Sequence, residues 1–136
     1  MGIKKYIHFF ANDAGQRLLT LNKIEQKHFL RNILRALPRY PEGSAVLDFG
    51  CGTGVFAREI ERMGYKYVGM DIDTEIIEVA RRLFPRTRFA SSYEEAAESG
   101  PFGIILANCC FHHISEELLV DVMKKMNASL KEDGRI

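Results

Sequence analysis

One aspartate followed by three alternating glycines is the group of residues in this sequence best suited to chemistry. The stretch VLDFGCGTG places Asp48 among apolar residues and then Gly50, Gly52 and Gly54 at every second position. Glycines between a strand and a helix expose backbone N–H groups at the helix N-terminus, and their missing Cβ atoms let a ligand approach closely. The pattern therefore predicts a nucleotide-like ligand at the carboxyl edge of a parallel sheet.

The spacing of these glycines separates the stretch from two common phosphate-binding loops. Dinucleotide-binding folds carry G-x-G-x-x-G, whereas this chain reads G-x-G-x-G and then Val55. The P-loop pattern also fails, because no Gly-Lys-Ser/Thr follows. A carboxylate at Asp48 would repel a pyrophosphate, but it would favour a ligand that carries an ammonium group. Asp48 can equally be a buried acid that holds N–H groups of the loop, and both roles can apply at once.

The elements that must position these residues alternate between strand and helix. Four apolar segments are predicted as strands, at 45–49, 67–70, 87–90 and 103–107. A helical segment follows each of them, with Asp73 or Thr74 as the candidate cap of one long helix and Ser115 as that of the last. This alternation is typical of an α/β fold with a parallel sheet.

Apolar residues at three- and four-residue spacing predict which sides of the helices point inward. On the helix that follows Asp73 and Thr74, the residues predicted to point inward are Ile76, Ile77, Val79, Ala80, Leu83 and Phe84. On the last helix they are Leu118, Leu119, Val122, Met123, Met126 and Leu130. The same spacing predicts an N-terminal helix over Gln16–Leu37, ended by Pro38. We expect one domain over residues 1–136, with a helical lid or cap at 1–40 and the ligand-binding core at 44–136.

The C-terminal stretch LKEDGRI looks like the lead-in to a fifth strand that the sequence does not reach, with a turn at Asp133-Gly134. A sheet of four strands would then keep an unpaired apolar edge, which is unfavourable for a soluble monomer. We expect the chain to be a portion of a longer protein, lacking its C-terminal strands. Alternatively, another chain covers this edge, as a second copy would in a homo-oligomer.

The composition excludes several classes of function. With 136 residues, 46% of them hydrophobic and 27% charged, the chain is predicted to form one globular domain. The formal net charge is +1 and the charges are interspersed, so no nucleic-acid partner is expected. No apolar run reaches the length of a membrane span, so no membrane partner is expected either. The three cysteines lack metal-ligand spacing and favour a reduced, cytoplasmic protein without a metal site.

The glycine stretch also carries a family resemblance. VLDFGCGTG resembles motif I of the class I S-adenosylmethionine-dependent methyltransferases, which reads hydrophobic-hydrophobic-(D/E)-x-G-x-G-x-G. The resemblance implies a Rossmann-like parallel sheet with helices on both faces and strand order 3-2-1-4, continuing to 5-7-6 if the chain is a fragment. It also implies S-adenosylmethionine as the cofactor and S-adenosylhomocysteine as the product. The residues that would hold the cofactor's amino-acid tail are Asp48, Gly50, Cys51, Gly52 and Gly54.

Later segments resemble the family in the family's own order. Asp71 ends the second predicted strand, within YVGMDID, where the family binds the ribose hydroxyls, and Ile72 resembles the apolar residue that packs on the adenine. Ser91 and Ser92 stand where the family often has an acid near the adenine amino group, and they would serve there less strongly. Within FGIILANCCFHHI, the resemblance puts Asn108 near the methionine end of the cofactor.

The same segment bears on catalysis. His112 and His113 are candidate bases for a proton of the acceptor, although both can equally be packing residues. Cys109, like Cys51, is predicted to line the cofactor site as a small apolar residue. The letters NCCF depart from the family's N-P-P-(Y/F) motif, which argues against methylation of nucleic-acid bases.

These residues together predict methyl transfer from S-adenosylmethionine to a small-molecule acceptor by in-line displacement. Such a reaction depends on positioning and needs no protein nucleophile. The alternative is a catalytically silent module that binds S-adenosylmethionine, or a truncated fragment that acts through a partner. Aminopropyl transfer would call for acidic residues near Asn108, which are not evident. An NAD-dependent oxidoreductase is disfavoured by Asp48 and by the glycine spacing.

Overall fold

A computed structural model of the chain describes residues 39–108 and 110–136, and before them residues 28, 30–32 and 35. Strands and helices alternate along the chain, as the sequence predicts. From residue 39 onward the elements are β1 (Ala45–Phe49), α1 (Ala57–Arg62), β2 (Lys66–Met70), α2 (Thr74–Leu83), β3 (Arg88–Ala90), α3 (Tyr93–Ala97), β4 (Phe102–Ala107), a 3₁₀ turn (Phe111–His113), α4 (Glu116–Ser129) and β5 (Leu130–Arg135).

The five strands form one parallel sheet in the order β3-β2-β1-β4-β5. β1 lies in the middle, because it pairs with β2 on one side and with β4 on the other. Phe49, at the end of β1, pairs with Met70 of β2 and with Ala107 of β4, so the three strands end at one edge of the sheet. The predicted Rossmann-like α/β class and the order 3-2-1-4 are confirmed.

The C-terminal segment differs from the prediction, because Leu130–Arg135 is a fifth strand and not the lead-in to one. It pairs in parallel with β4, where Leu130 lies opposite Phe102, and its register is irregular. Asp133 and Gly134, which were expected to form a turn, lie within this strand. Charged residues and glycine have low strand propensity, so the local sequence does not indicate a strand here. Pairing with the backbone of β4 stabilises it instead.

Each face of the sheet is covered by its own apolar layer. The layer against α1 and α2 includes Val46, Ile60, Tyr67, Ile77, Phe89 and Ile104. The layer against α3 and α4 includes Leu47, Phe49, Met70, Ala96, Ile105 and Met126. Burial of both faces explains why the strands are nearly continuous apolar runs. It also makes Asp48 exceptional, since this carboxylate lies in β1 and is only 2% exposed.

The predicted helix caps are confirmed. The Asp73 carboxylate accepts hydrogen bonds from the N–H groups of Glu75 and Ile76, at 3.0 and 3.2 Å, before the first turn of α2. The Ser115 hydroxyl accepts from the N–H of Leu118 at 3.4 Å, before α4. Each cap satisfies backbone donors that have no partner inside the helix.

Three apolar helix positions that were predicted to point inward are exposed instead. Leu118 is 60% exposed, Leu83 54% and Val79 43%. On α4 the buried positions are Leu119 and Met126, a narrower stripe than the spacing predicted. Periodicity gives the direction of the apolar face but not how far around the helix the sheet reaches, and single exposed apolar residues are common on protein surfaces.

Most of the predicted helix Gln16–Leu37 and of the predicted lid at 1–40 lies outside the described residues. Those that are described, at 28, 30–32 and 35, are helical. Among them Leu30 is 2% exposed and packs in the layer with α1 and α2. Arg31 forms an ion pair with the buried carboxylate of Glu59 on α1. These two contacts attach the helical residues to the core.

The segment that leads into β1 is joined to the far edge of the sheet. The Tyr40 hydroxyl donates to the backbone carbonyl of Asp133 in β5 at 2.7 Å. The ring of Tyr40 also lies against Gly103 of β4, where an added Cβ would come within 3.0 Å of it. Within the described part of the chain, no helix is long and apolar enough to cross a membrane.

Candidate functional site

The glycine turn lies at the carboxyl end of β1 and is bonded to the end of β2. Gly50, Gly52 and Gly54 have φ angles of 74°, 55° and 77°, in the left-handed region that favours glycine. The N–H groups of Gly50 and Cys51 both donate to the carbonyl of Met70, at 2.8 and 3.0 Å. This arrangement holds the turn against the sheet where the strands end.

The three glycines differ in what surrounds them. A Cβ at Gly50 would lie 2.5 Å from the Cβ of Cys110, and one at Gly54 would lie 2.7 Å from the ring of Phe89. Among the residues that the structure describes, none has an atom within 4 Å of a Cβ added at Gly52. Gly50 and Gly54 are therefore needed for packing inside the protein. Gly52 instead faces open space, where a ligand can approach the backbone.

Asp71 lies beside this open space and binds the turn directly. Its Oδ2 accepts from the N–H of Gly52 at 3.0 Å, and its Oδ1 accepts from the N–H of Asp73 at 3.0 Å. A carboxylate offers about four acceptor positions, so both oxygens can take further hydrogen bonds. Ile72, the next residue, is 80% exposed and presents an apolar side chain next to Asp71.

Asp48 lies beneath the turn, on the face of the sheet that carries Tyr67. The Tyr67 hydroxyl donates to Oδ2 of Asp48 at 2.7 Å, and both residues are buried. Burial raises the pKa of Asp48 to about 6; the Tyr67 hydrogen bond lowers it, and the charge of Asp71 raises it. Burial also raises the pKa of the Cys51 thiol, which suits the neutral lining role predicted for it. A buried acid with this pKa is still mostly ionised near neutral pH.

Tyr67 is a residue of this site that was not predicted from the sequence. Its hydrogen bond to Asp48 crosses between strands, so no local pattern reports it. The sequence did contain one indication of this contact. Tyr67 and Gly69 are two residues apart on β2, so their side chains lie on one face of the sheet, and Asp48, which pairs with Gly69, lies on the same face. An aromatic hydroxyl on the same face as a buried acid is a candidate partner for that acid.

Ser91 and Ser92 follow β3 at the same edge of the sheet and interact with the first turn of α3. The Ser92 hydroxyl accepts from the N–H of Glu95 at 3.2 Å, which makes Ser92 the helix cap. The Glu95 carboxylate in turn accepts from the N–H of Ser91 at 2.9 Å. That bond is the main reason why the pKa of Glu95 is lowered, with Arg81 and Arg88 contributing. Glu95 was not among the residues predicted from the sequence to have a role.

The remaining candidates lie after β4. Asn108 is half-buried and directly follows Ala107, the partner of Phe49 in β1, so it lies at the same edge as the glycine turn. His113 is exposed and lies in the 3₁₀ turn. Cys109 and the side chain of His112 lie outside the described residues. The edge of the sheet thus gathers Asp48, the glycine turn, Asp71 and Asn108.

This geometry can be compared with known proteins. The family model of the methyltransferase domain matches residues 21–136. The chain belongs to the methyltransferase domain family. The resemblance to the class I S-adenosylmethionine-dependent methyltransferases, read from VLDFGCGTG, is thereby confirmed together with the fold.

Individual relatives of this methyltransferase domain include a protein-modifying enzyme. The ribosomal protein L11 methyltransferase of Burkholderia multivorans is 36% identical over 98 residues, which cover 69% of this chain and 31% of that protein. The ribosomal protein L11 methylase of Lactobacillus delbrueckii subsp. bulgaricus superposes with a TM-score of 0.57 at 26% identity, covering 77% of this chain and 53% of that one. The chain spans about a third of the length of the curated relatives it matches.

A third solved structure supports the fold alone. It is the phosphoethanolamine N-methyltransferase 2 of Haemonchus contortus, in complex with S-adenosyl-L-methionine. Its TM-score is 0.64 at 22% identity, and the superposition covers 81% of this chain and 26% of that one.

One prediction is corrected by these relatives. The sequence analysis expected a small-molecule acceptor, whereas the curated relatives are named for a protein acceptor, ribosomal protein L11. The motifs at this edge of the sheet were assigned to the methyl donor from the family resemblance, and they contain no information on the acceptor.

Proposed function

We propose that this methyltransferase domain binds S-adenosylmethionine at the edge of β1 and β2 and transfers its methyl group to a protein. The observation that carries the proposal is the convergence of two carboxylates and one open glycine. The Asp71 carboxylate binds the N–H of Gly52, the glycine that faces open space, and Asp48 lies buried beneath the same turn.

The chemistry of these groups fits the parts of the cofactor. Asp48 would bind the ammonium group of the amino-acid tail, since a buried carboxylate interacts strongly with an opposite charge. The unhindered backbone at Gly52 would lie against that tail, with Gly50, Cys51 and Gly54 shaping the turn. Asp71 would accept from the ribose hydroxyls.

The other candidates would complete the site. Ile72 offers an exposed apolar surface on which the adenine would pack. Ser91 and Ser92 would contact the adenine edge. The Ser91 N–H and the Ser92 hydroxyl already form hydrogen bonds with Glu95 of α3, which leaves them fewer groups for the adenine. Asn108 would lie at the methyl-donor end.

When bound, the cofactor would supply a methyl group on a positively charged sulfur: the acceptor nucleophile would bond to the methyl carbon in line, and the carbon–sulfur bond would break to leave neutral S-adenosylhomocysteine. The protein then has to hold the donor and the acceptor in one orientation, because correct positioning can remove a large part of the barrier to such a reaction. No protein nucleophile is required. His113, and His112 beside it in the chain, are the candidates to take a proton from an attacking nitrogen.

For the acceptor we propose a ribosomal protein of the L11 class. The support is the name of the curated relatives and the 26% identity to a solved L11 methylase. Such an acceptor also favours a cytoplasmic location, where ribosomal proteins are made. Residues 1–40 would form a cap over the cofactor core at 44–136.

Calorimetric titration with S-adenosylhomocysteine tests the cofactor site. We expect the wild-type protein to bind it, and Asp71→Asn to weaken binding by about tenfold or more, because a charged acceptor of hydroxyl protons becomes a neutral one. Asp121→Asn is the matched control: it removes the same charge from an exposed position on α4 and should leave the affinity unchanged. Failure of a folded wild-type protein to bind would refute the cofactor proposal.

Transfer of a labelled methyl group to purified L11 tests the acceptor separately. Label on L11, lost in Asp71→Asn, would support the protein acceptor. Binding of S-adenosylhomocysteine without any transfer to L11 would contradict that acceptor. It would favour the module that binds the cofactor without activity.

A further inference from the structure

The contact between Tyr67 and Asp48 joins two neighbouring strands beneath the glycine turn. Asp48 pairs with Gly69, so Tyr67 is its diagonal neighbour, two residues earlier on β2. The Tyr67 hydroxyl donates to Oδ2 of Asp48 at 2.7 Å, and the two residues are 4% and 2% exposed. This hydrogen bond is therefore shielded from solvent. In the protein interior, hydrogen bonds to charged groups are stronger than in water.

Packing holds the tyrosine ring in place for this bond. The ring of Phe89 meets that of Tyr67 edge-on, with centroids 5.9 Å apart. Gly69 makes room for this arrangement, since a Cβ there would lie 2.6 Å from the Phe89 ring and 2.9 Å from Sγ of Cys51. The hydroxyl of Tyr67 is thus aimed at Asp48 by its neighbours and not by the hydrogen bond alone.

The charges around Asp48 make this donor important. Burial raises the pKa of Asp48 to about 6, and the nearby charge of Asp71 also disfavours the ionised form, whereas the Tyr67 hydrogen bond favours it. Burial raises the pKa of Tyr67 well above its usual range, so the phenol remains a donor at all physiological pH values. The Cys51 thiol stays protonated for the same reason. Burial and Asp71 thus disfavour the ionised form of Asp48, and the hydrogen bond from Tyr67 stabilises it.

We propose that Tyr67 is a positioning residue of the cofactor site, whose hydroxyl keeps the Asp48 carboxylate charged so that it can bind the ammonium group of the amino-acid tail. The second half of this statement rests on the proposed function. The first half concerns the protein alone and can be tested without ligand. Without the hydroxyl, a large fraction of Asp48 would be neutral near pH 7, and the tail would lose much of its counter-charge.

Carboxyl carbon NMR of the ligand-free protein tests the first half. In Tyr67→Phe we expect the Asp48 titration to move upward by about one pH unit or more, the value of one lost hydrogen bond to a charge. Tyr40→Phe is the matched control, because Tyr40 is also buried and donates at 2.7 Å, but to a backbone carbonyl. It should leave the titration unchanged. An equal midpoint in wild type and Tyr67→Phe would overturn the proposal.

A second substitution covers the case in which the phenylalanine variant does not fold. Tyr67→3-fluorotyrosine keeps the shape and makes the hydroxyl a stronger donor. The Asp48 titration should then move downward. No movement in that protein would also overturn the proposal.

Binding measured against pH tests the second half. S-adenosylhomocysteine should lose affinity on the acid side, up to about tenfold per pH unit, and Tyr67→Phe should show this loss at a higher pH. Methylthioadenosine, which lacks the amino-acid tail, should bind both proteins equally across this range. A loss of affinity that is equal at every pH, with an unchanged Asp48 titration, would make Tyr67 merely structural. Absence of binding to wild type with a shifted Asp48 titration would overturn the proposed function alone.

Discussion

The N–H of Gly52 donates to Oδ2 of Asp71 at 3.0 Å, and so one carboxylate joins the glycine turn after β1 to the end of β2. The other oxygen of Asp71 accepts from the N–H of Asp73 at 3.0 Å, at the start of α2. Gly52 is also the glycine at which an added Cβ would enter open space. Asp71, which helps to hold the turn, is therefore hydrogen-bonded directly to Gly52, the residue that leaves room for a ligand.

Asp71→Ala should loosen this junction locally. The amides of Gly52 and Asp73 lose their acceptor, so we expect their hydrogen exchange to accelerate by about tenfold or more. The amides of Gly50 and Cys51 donate to the carbonyl of Met70 instead and should keep their protection. NMR-detected exchange reports each amide separately. Equal acceleration of all four amides would contradict a local role for Asp71.

Gly52→Ala and Gly54→Ala should separate binding from folding. The added methyl group of Gly52→Ala meets no atom of the described part of the chain within 4 Å, so we expect only the cost of a left-handed alanine, about 1–2 kcal/mol of unfolding free energy. Its methyl group would nevertheless occupy the space proposed for the cofactor and weaken S-adenosylhomocysteine binding. Gly54→Ala would bring a Cβ within 2.7 Å of the Phe89 ring and cost about 1–3 kcal/mol more through overpacking.

Urea unfolding and calorimetry on both glycine variants check this pair. We expect Gly54→Ala to lose more unfolding free energy than Gly52→Ala. We expect Gly52→Ala to lose more affinity for S-adenosylhomocysteine, relative to the unfolding free energy that it loses, than Gly54→Ala. A Gly52→Ala protein that binds S-adenosylhomocysteine as tightly as wild type would argue against a ligand at this face.

Asp48→Asn should stabilise the ligand-free protein at neutral pH. The pKa of Asp48 is raised from 3.8 to about 6, so between these values the folded state binds a proton more tightly than the unfolded state. The contribution of Asp48 to stability is therefore greatest at low pH, falls as the pH rises from about 4 to about 6, and stays low above that. The full difference is about 3 kcal/mol.

The comparison of Asp48→Asn with wild type is made by urea unfolding between pH 4 and pH 8. Other titrating groups act on both proteins, so the difference between their unfolding free energies isolates Asp48. We expect the variant to gain on wild type by up to about 3 kcal/mol as the pH rises, because asparagine can still accept from the Tyr67 hydroxyl. The same variant should bind S-adenosylhomocysteine more weakly. A difference that does not change with pH would count against a raised pKa.

Arg31→Met should destabilise the protein by about 2 kcal/mol, since it removes the ion pair with the buried Glu59 carboxylate. Arg35→Met is the control, because Arg35 is exposed on the same helical segment. Adding Glu59→Gln to Arg31→Met should recover part of the loss, since the buried group is then neutral. Urea unfolding measures all three proteins. Equal stability of Arg31→Met and Arg35→Met would show that the pair contributes nothing.

Much of the fold and the composition of its central edge follow from local patterns. Apolar runs separated by capped helices predicted β1 to β4 and the parallel sheet, and the glycines marked a turn with positive φ angles. Asp48 and the glycine turn were expected at the carboxyl edge of the sheet from their own pattern, and Asp71 and Asn108 were assigned to the same site through the family resemblance. That grouping agrees with the pairing of Phe49 with Met70 and Ala107.

Contacts between distant residues could not be predicted in this way. The Tyr67–Asp48 bond, the Arg31–Glu59 pair and the strand Leu130–Arg135 each depend on a partner more than 18 residues away in the chain. A charged segment with low strand propensity becomes β5 only because β4 offers unpaired backbone groups next to it.

The sequence by itself determined the α/β class and the turn beside which a ligand can lie, because periodicity, caps and glycines act over a few residues, whereas the strand order 3-2-1-4 came from the family resemblance of VLDFGCGTG. Only the tertiary structure decided which glycine faces open space, which hydroxyl holds Asp48, and that Asp71 binds the turn. These depend on distances across the sheet, where burial changes the pKa of a carboxylate and packing leaves or fills the space above a backbone.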